Sequence, residues 1–151
     1  MNKMKFILLS LFSINLFSCS LKAVEPTVPD FYSRVDMRAE GLPLSVIRVS
    51  YNVGSSRDDG KPGMTYLTAE LMRQSGLEEY FGQQALSRDE LESKLKPLGA
   101  VIGVQVARAQ TTFSLTVPSA NIKEAAMLFS RMLVSPGLDK VELARIKKET
   151  L

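Results

Sequence analysis

The sequence predicts an α+β domain of two layers, in which helices cover an antiparallel-rich sheet. Two segments, 44–53 and 112–117, alternate apolar and polar side chains as half-buried strands do. A third strand and four helices are predicted around them, in the order β, α, α, β, β, α, α. Strands that form a hairpin, with helices able to cover one face, are typical of this class. With 45% hydrophobic and 23% charged residues, the 151-residue chain is globular in composition.

The first 23 residues are predicted to be a secretory signal peptide. Lys3 and Lys5 precede an apolar run at 6–17, which is too short to span a bilayer. We expect cleavage after Ala23 and export of the mature chain, to the periplasm in a bacterial cell.

Cys19 allows a second interpretation of the same segment. Leu16-Phe17-Ser18-Cys19 resembles a bacterial lipobox, which would place a lipid on Cys19. In that case the protein would be anchored to a membrane. With a plain signal peptide, no membrane anchor is expected. Cys19 is the only cysteine, so no disulfide is expected in the mature chain.

The positive charge of the chain belongs to its export signal. The formal net charge of +3 comes from 19 basic and 16 acidic residues. Cleavage after Ala23 removes Lys3, Lys5 and Lys22 and no acid, which leaves 16 of each sign. A neutral mature domain carries no electrostatic footprint for nucleic acid.

The domain itself is expected at residues 34–151, after an extended linker at 24–33 that holds two prolines. Its first clear strand is 44–53, followed by a loop at 54–60. Ile47 and Val49 are expected to share one face of that strand, in the period-2 pattern of a half-buried sheet.

The first helix is predicted at 63–76. Pro62 suits a helix start, and Gly76 is expected to end the helix in a left-handed conformation. One side of the helix holds an apolar stripe with Leu67 and Leu71, together with Gln74. Another side carries four residues at i, i+3, i+4 and i+7, namely Tyr66, Ala69, Glu70 and Arg73.

The later elements are predicted from their termini. Ser87 with Glu90 forms a capping box that opens the second helix, which Pro97 and Gly99 close. Strands at 101–107 and 112–117 follow, close enough to form a hairpin.

Two more helices complete the chain. Asn121 with Glu124 starts one of them, and Asp139 with Glu142 starts the last, which we expect to pack Val141 and Ile146 inward. The buried stripe of the third helix is expected to comprise Ala125, Leu128, Phe129, Met132 and Leu133.

Residues 61–72 closely resemble the first helix of the insulinase/pitrilysin family of inverted zincins. That family carries H-x-x-E-H, in which two His bind zinc and the Glu polarises the attacking water. In register, the positions fall on Tyr66, Ala69 and Glu70, so the motif here is Y-x-x-A-E. Leu98-Gly99-Ala100 and Ser135-Pro136 also match the family at their places.

The resemblance implies that the third zinc ligand lies on the last helix. The family's E-x-E-R pattern falls on Glu142-Leu143-Ala144-Arg145, which puts Ala144 at the ligand position. If the register slips, Glu142 or Glu149 points inward instead. The chain has no His, so we expect no zinc, no other cofactor and no catalytic residue.

Two interpretations of Tyr66 and Glu70 remain open at this point. In one, Glu70 pairs with Arg73 on a solvated face while Tyr66 packs over the vacated site. In the other, this face lines a cavity that contacts a polypeptide or a partner protein.

By resemblance, the chain is expected to be a non-catalytic partner of an active homologue, helping to form a peptide-binding chamber. The alternatives are a stand-alone binding or scaffold module and a non-functional fragment of a longer peptidase-like protein. Because the sequence ends inside its last predicted helix, an incomplete N-terminal half domain of the family is expected.

Overall fold

The computed structural model describes Val35, Met37 and residues 41–150, except for the side chain of Thr150. The chain divides into two units, Met1–Arg38 and Ala39–Leu151, and the fold described below is that of the second unit. The predicted signal peptide, Cys19 and the linker at 24–33 lie outside the described residues. Among residues 41–150, no helix is long and apolar enough to cross a membrane.

The second unit is an α+β domain with three strands and four helices in its described part, and the predicted order of elements is confirmed. The strands are β1 (Leu44–Tyr51), β2 (Val101–Val106) and β3 (Thr111–Pro118). The helices are α1 (Met64–Gln74), α2 (Arg88–Leu95), α3 (Ile122–Val134) and α4 (Lys140–Thr150). Short 3₁₀ turns lie at Ser55–Arg57 and Ser119–Asn121.

The sheet is antiparallel throughout, in the order β1-β3-β2, so β3 is its central strand. Leu115 of β3 lies opposite Ile47 of β1 on one side and Ile102 of β2 on the other. Directly opposed residues share a face of the sheet, so these three side chains form one apolar row. The predicted hairpin of β2 and β3 is confirmed.

The core lies between one face of this sheet and the helices. Alternate residues of β3, including Phe113 and Leu115, are fully buried. They pack in one cluster with Ala125, Phe129 and Met132 of α3, which are the residues of the predicted stripe that are fully buried. The period-2 pattern of the strand and the 3.6-residue pattern of the helix therefore face each other, as a two-layer domain requires.

Gly76 follows α1 for a reason that differs from the predicted one. It does not have a positive φ, and Ser75 rather than Gly76 caps the helix. A Cβ on Gly76 would lie 2.0 Å from the carbonyl oxygen of Leu86, and the Gly76 carbonyl accepts a hydrogen bond of 2.8 Å from Gly137. The predicted left-handed stop is wrong: glycine is needed here because two backbone segments approach closely.

The helix starts also differ in detail. The capping box of Ser87 and Glu90 is confirmed. Asn121 precedes α3 but does not cap it, because its side-chain amide donates to the carbonyl of Leu98 at 3.0 Å. In α4, Ile146 is buried as expected, whereas Val141 is 73% exposed and the prediction for it is wrong.

Residues 77–86, between α1 and α2, form a small hairpin that we call the tip hairpin. Leu77 pairs with Leu86, and Tyr80 pairs with Gln83. Phe81 and Gly82 form the turn, with φ values of 46° and 73°. Isolated bridges of this kind leave no period-2 signal in the sequence.

Candidate functional site

The N-terminus of α1 is held by Asp58, which lies in the loop before it. One Asp58 carboxylate oxygen accepts from the backbone N–H of Gly63 and the other from that of Thr65, both at 2.9 Å. The Thr65 hydroxyl donates to the same carboxylate and, with these backbone donors, holds the pKa of Asp58 below its ordinary value of 3.8. Asp58 thus satisfies helix N–H groups that would otherwise lack partners, and it fixes where α1 begins.

The side of α1 that carries the Y-x-x-A-E motif is partly buried. Ala69 is 3% exposed and Glu70 is 9% exposed, whereas Tyr66 is 41% exposed. Helix α1 packs against α4 and β2, and Ala69 belongs to the hydrophobic core of the domain. The expectation that Glu70 lies on a solvated face is therefore wrong.

The carboxylate of Glu70 is held by three donors from its own helix. Its Oε2 accepts from Arg73 Nε at 3.0 Å, from Arg73 Nη2 at 2.6 Å and from Gln74 Nε2 at 2.6 Å. The expected i, i+3 pair of Glu70 with Arg73 is present as a charge-assisted contact, in which the Glu70 side chain is 11% exposed and that of Arg73 is 32% exposed. The guanidinium of Arg73 balances the charge of this carboxylate.

Gln74 extends this contact to the last helix. While its Nε2 donates to Glu70, its Oε1 accepts a hydrogen bond from Arg145 of α4. Arg145 also pairs with Glu149 at 2.6 Å and with Glu142 at 2.9 Å, and these hydrogen bonds raise the pKa of the guanidinium. A continuous polar network therefore joins α1 to α4.

The same network reaches α2 through Glu142. Arg88 Nη1 lies 3.1 Å from the Glu142 carboxylate, and Arg88 Nε lies 3.0 Å from Glu92. The side chain of Glu142 is 16% exposed, compared with 57% for that of Glu149. Of the two alternative third-ligand positions, Glu142 is the one that points inward, and two arginines hold it there.

Ala144, the position that the resemblance assigns to the third ligand, is exposed on α4. The structure therefore gathers Glu70, Gln74, Glu142 and Arg145 around the packed faces of α1 and α4, and leaves Ala144 on the outside.

These residues do not fit a zinc site. Ala69 has no donor atom, and both inward carboxylates, Glu70 and Glu142, are paired with arginines. Within the described part of the chain, no group of three or more His, Cys, Asp or Glu residues lies close enough together to hold a metal ion. A cation placed here would compete with the guanidinium groups of Arg73, Arg88 and Arg145 for the same oxygens.

An open cleft of about 510 Å³ lies next to this network, between the end of α1, α2 and β2. Leu95 and Ile102 give it an apolar wall, and Arg73 and Lys96 lie among its basic residues. The cleft runs beside β2, which pairs only with β3 among the described strands. A surface of this kind offers both backbone hydrogen-bonding groups and side-chain contacts.

Two residues of structural importance were not singled out from the sequence. Asp58 was assigned only to a loop, although an Asp shortly before a helix start is a known capping signal. Arg131 lies outside the predicted apolar stripe of α3 but is only 6% exposed, and its guanidinium donates to backbone carbonyls of the tip hairpin. No local sequence pattern indicated this contact.

Comparison with known proteins supports the fold. Neither a protein-family model nor a curated protein matches the sequence. The crystal structure of a peptidase M16 inactive domain from Pseudomonas fluorescens superimposes with a TM-score of 0.61 and 27% identity, over 72% of this chain and 25% of that one. A protease from Helicobacter pylori superimposes with a TM-score of 0.53 and 22% identity, over 67% of this chain and 23% of that one.

The chain thus spans about a quarter of the length of each of these two structures. The described domain has a peptidase M16-like fold, and the neighbour with the higher identity is an inactive domain of that kind.

Proposed function

We propose that this protein is a non-catalytic, peptidase M16-like component that binds polypeptide together with an active homologue. One observation carries the proposal: Glu70, at the place of the second zinc-binding His, is buried and bound by Arg73 and Gln74. A site occupied by such contacts serves the packing of α1 and does not activate water. The similarity to a domain described as inactive supports the same conclusion.

One edge of β2 pairs with no other strand in the described part of the chain, and this edge supports polypeptide binding as the proposed role. An extended peptide can add to an open sheet edge through backbone hydrogen bonds, while neighbouring pockets take its alternate side chains. In this protein the edge runs along the cleft that contains Lys96 and Ile102. A chain that lacks catalytic groups can therefore still hold a substrate for a partner.

The proposed place of action is outside the cytoplasm. Residues 1–23 would direct export, with a lipid on Cys19 as the variant that anchors the protein to a membrane. The proposed partner is an exported homologue with an intact H-x-x-E-H motif, and zinc would be bound by that partner.

The test combines this chain with such a homologue. Co-purification of the two and a fall in proteolysis when this chain is omitted are the expected results. If the homologue neither binds this chain nor loses activity without it, the partner role is wrong, and a stand-alone binding or scaffold module becomes the better explanation.

A second measurement tests the cleft directly. Binding of a fluorescently labelled, unfolded casein fragment to the full chain is compared for Lys96→Glu and for Lys148→Glu, an equal charge change at an exposed position of α4. We expect weaker binding for Lys96→Glu alone. Equal affinities would exclude the cleft as the binding surface.

A further inference from the structure

The turn of the tip hairpin holds an aromatic residue under two unfavourable conditions. Phe81 is 89% exposed, and its φ of 46° lies in the left-handed region that glycine and asparagine favour. Tyr80 stacks edge-on against it, with ring centroids 4.5 Å apart. Exposed apolar area and backbone strain both cost stability, and local violations of this kind concentrate at functional sites.

Arg131 of α3 is hydrogen-bonded to the tip hairpin that holds this strained turn. Its Nε donates to the carbonyl oxygen of Glu78 at 3.2 Å, and its Nη2 donates to the carbonyl oxygens of Gln83 and Gln84. The side chain thus reaches both arms of the tip hairpin from a position that is 6% exposed. A preorganised aromatic residue loses little conformational freedom when it binds.

A socket of about 320 Å³ lies immediately beside the tip. Leu86, Met127 and Leu128 supply its apolar lining, and Gln83 and Gln84 of the tip hairpin form part of its wall. Met127 is 57% exposed although it is a large apolar side chain. Methionine adapts its shape and makes favourable contacts with aromatic rings.

The charges of the tip and of the socket are complementary. The tip hairpin carries two exposed acids, Glu78 and Glu79. The socket contains Lys94, Glu124 and Arg131, so its formal charge is positive. None of the ion pairs found within residues 41–150 gives Arg131 a carboxylate partner, and its charge therefore contributes to the field of the socket.

We infer that the occupant of the socket is the Phe81 tip of a second copy of this chain. The tip and the socket are neighbours on one face, since Gln83 and Gln84 belong to both. A two-fold axis that passes between them lets each Phe81 enter the socket of the other copy, and a two-fold interface closes on itself. The inference does not depend on the proposed function, because it uses neither the cleft nor the Glu70 network.

The test is the mass of the full chain in solution as a function of concentration, measured by analytical ultracentrifugation. We expect a monomer–dimer equilibrium. Phe81→Asn removes the ring while suiting the left-handed turn, and Met127→Ser removes the apolar lining. Each is expected to raise the dissociation constant at least about tenfold, as the loss of a central interface anchor does. Val141→Ser, at a position 73% exposed on α4, is the control and leaves the equilibrium unchanged.

A charge exchange tests the orientation. In the inferred dimer, Glu79 of one copy faces Lys94 of the other copy. Lys94→Glu and Glu79→Lys are each expected to weaken the dimer, and the double variant is expected to recover part of the lost affinity because it restores a pair of opposite charges. Circular dichroism of each variant establishes that it is folded. A chain that stays monomeric at every concentration, or a dimer that is insensitive to both Phe81→Asn and Met127→Ser, overturns the inference.

Discussion

Gln74 Nε2 lies 2.6 Å from the Oε2 atom of Glu70, which precedes it by one helical turn. The Oε1 atom of the same Gln74 side chain accepts a hydrogen bond from Arg145 of α4. From the sequence, Gln74 was grouped with Leu67 and Leu71 on one side of α1 and Glu70 on another side. The i, i+4 spacing nevertheless lets the two side chains meet between these faces. Gln74 therefore links the Glu70 carboxylate of α1 to the Arg145 guanidinium of α4 through its two amide atoms.

Replacement of Glu70 by Gln is expected to destabilise the protein by about 1–3 kcal/mol, because a buried charge-assisted acceptor is lost and Arg73 keeps its charge. Urea unfolding measures the change. Glu149→Gln is the matched control, since its carboxylate is 57% exposed and solvent screens its pair with Arg145. Equal effects of the two variants would show that the burial of Glu70 has no energetic consequence.

Added zinc or a chelator is expected to leave the melting temperature of the purified protein unchanged. Arginines bind the Oε2 atoms of Glu70 and Glu142, so a metal ion would have to displace charge-assisted contacts and would find no imidazole to bind in exchange. Differential scanning calorimetry with zinc and with EDTA provides the measurement, with an intact H-x-x-E-H homologue as the positive control. Stoichiometric zinc in elemental analysis would contradict this expectation.

Asp58 is expected to make stability depend on pH in the acid range. Its folded-state pKa is lowered below 3.8, chiefly by the Thr65 hydroxyl, so its contribution is complete above that value. The contribution is lost as the pH falls through the folded-state pKa, because protonation removes the acceptor from the α1 terminus. Asp58→Asn should therefore be less stable than the parent at neutral pH, with the difference closing in acid.

Urea midpoints measured from neutral pH down to the acid range follow this difference. Asp59→Asn changes the same charge at an exposed neighbouring position and serves as the control. A constant difference between Asp58→Asn and the parent at every pH would rule out the capping role.

Gly76→Ala is expected to cost stability towards the upper end of the roughly 1–3 kcal/mol typical of overpacking. The new methyl group would lie 2.0 Å from a backbone oxygen, which no side-chain rotation relieves. Gly60→Asn is the control, because Gly60 has a φ of +78° that Asn tolerates and has open space around it. The melting temperatures of the two variants provide the comparison. An unchanged melting temperature for Gly76→Ala would mean that the backbone at Leu86 can move away from residue 76 at little cost.

Local signals were sufficient for most of the fold. The capping box of Ser87 and Glu90 depends on two residues three positions apart. The alternation of buried and more exposed side chains in β3 follows from the order of apolar and polar residues within that strand. These interactions form within one element or between neighbours, so the sequence pattern contains them. The order of elements and the β2–β3 hairpin were predictable for the same reason.

The remainder depends on contacts between distant residues. Gly76 approaches Leu86 and Gly137, and Arg131 reaches Glu78 across 53 positions. Neither contact has a local pattern. The burial of Glu70 also follows from the packing of α4 and β2 on α1, and a single helix read alone offers no sign of it.

The contacts of Glu70 with Arg73 and Gln74 also limit which residues position 70 can accept. Glu70→His would leave three N–H donors of Arg73 and Gln74 without their acceptor, and the loss of a charge-assisted acceptor at a buried position costs stability. The variant would also hold only one imidazole on this helix. A change of Y-x-x-A-E to H-x-x-E-H would therefore have to pass through less stable sequences that bind no zinc.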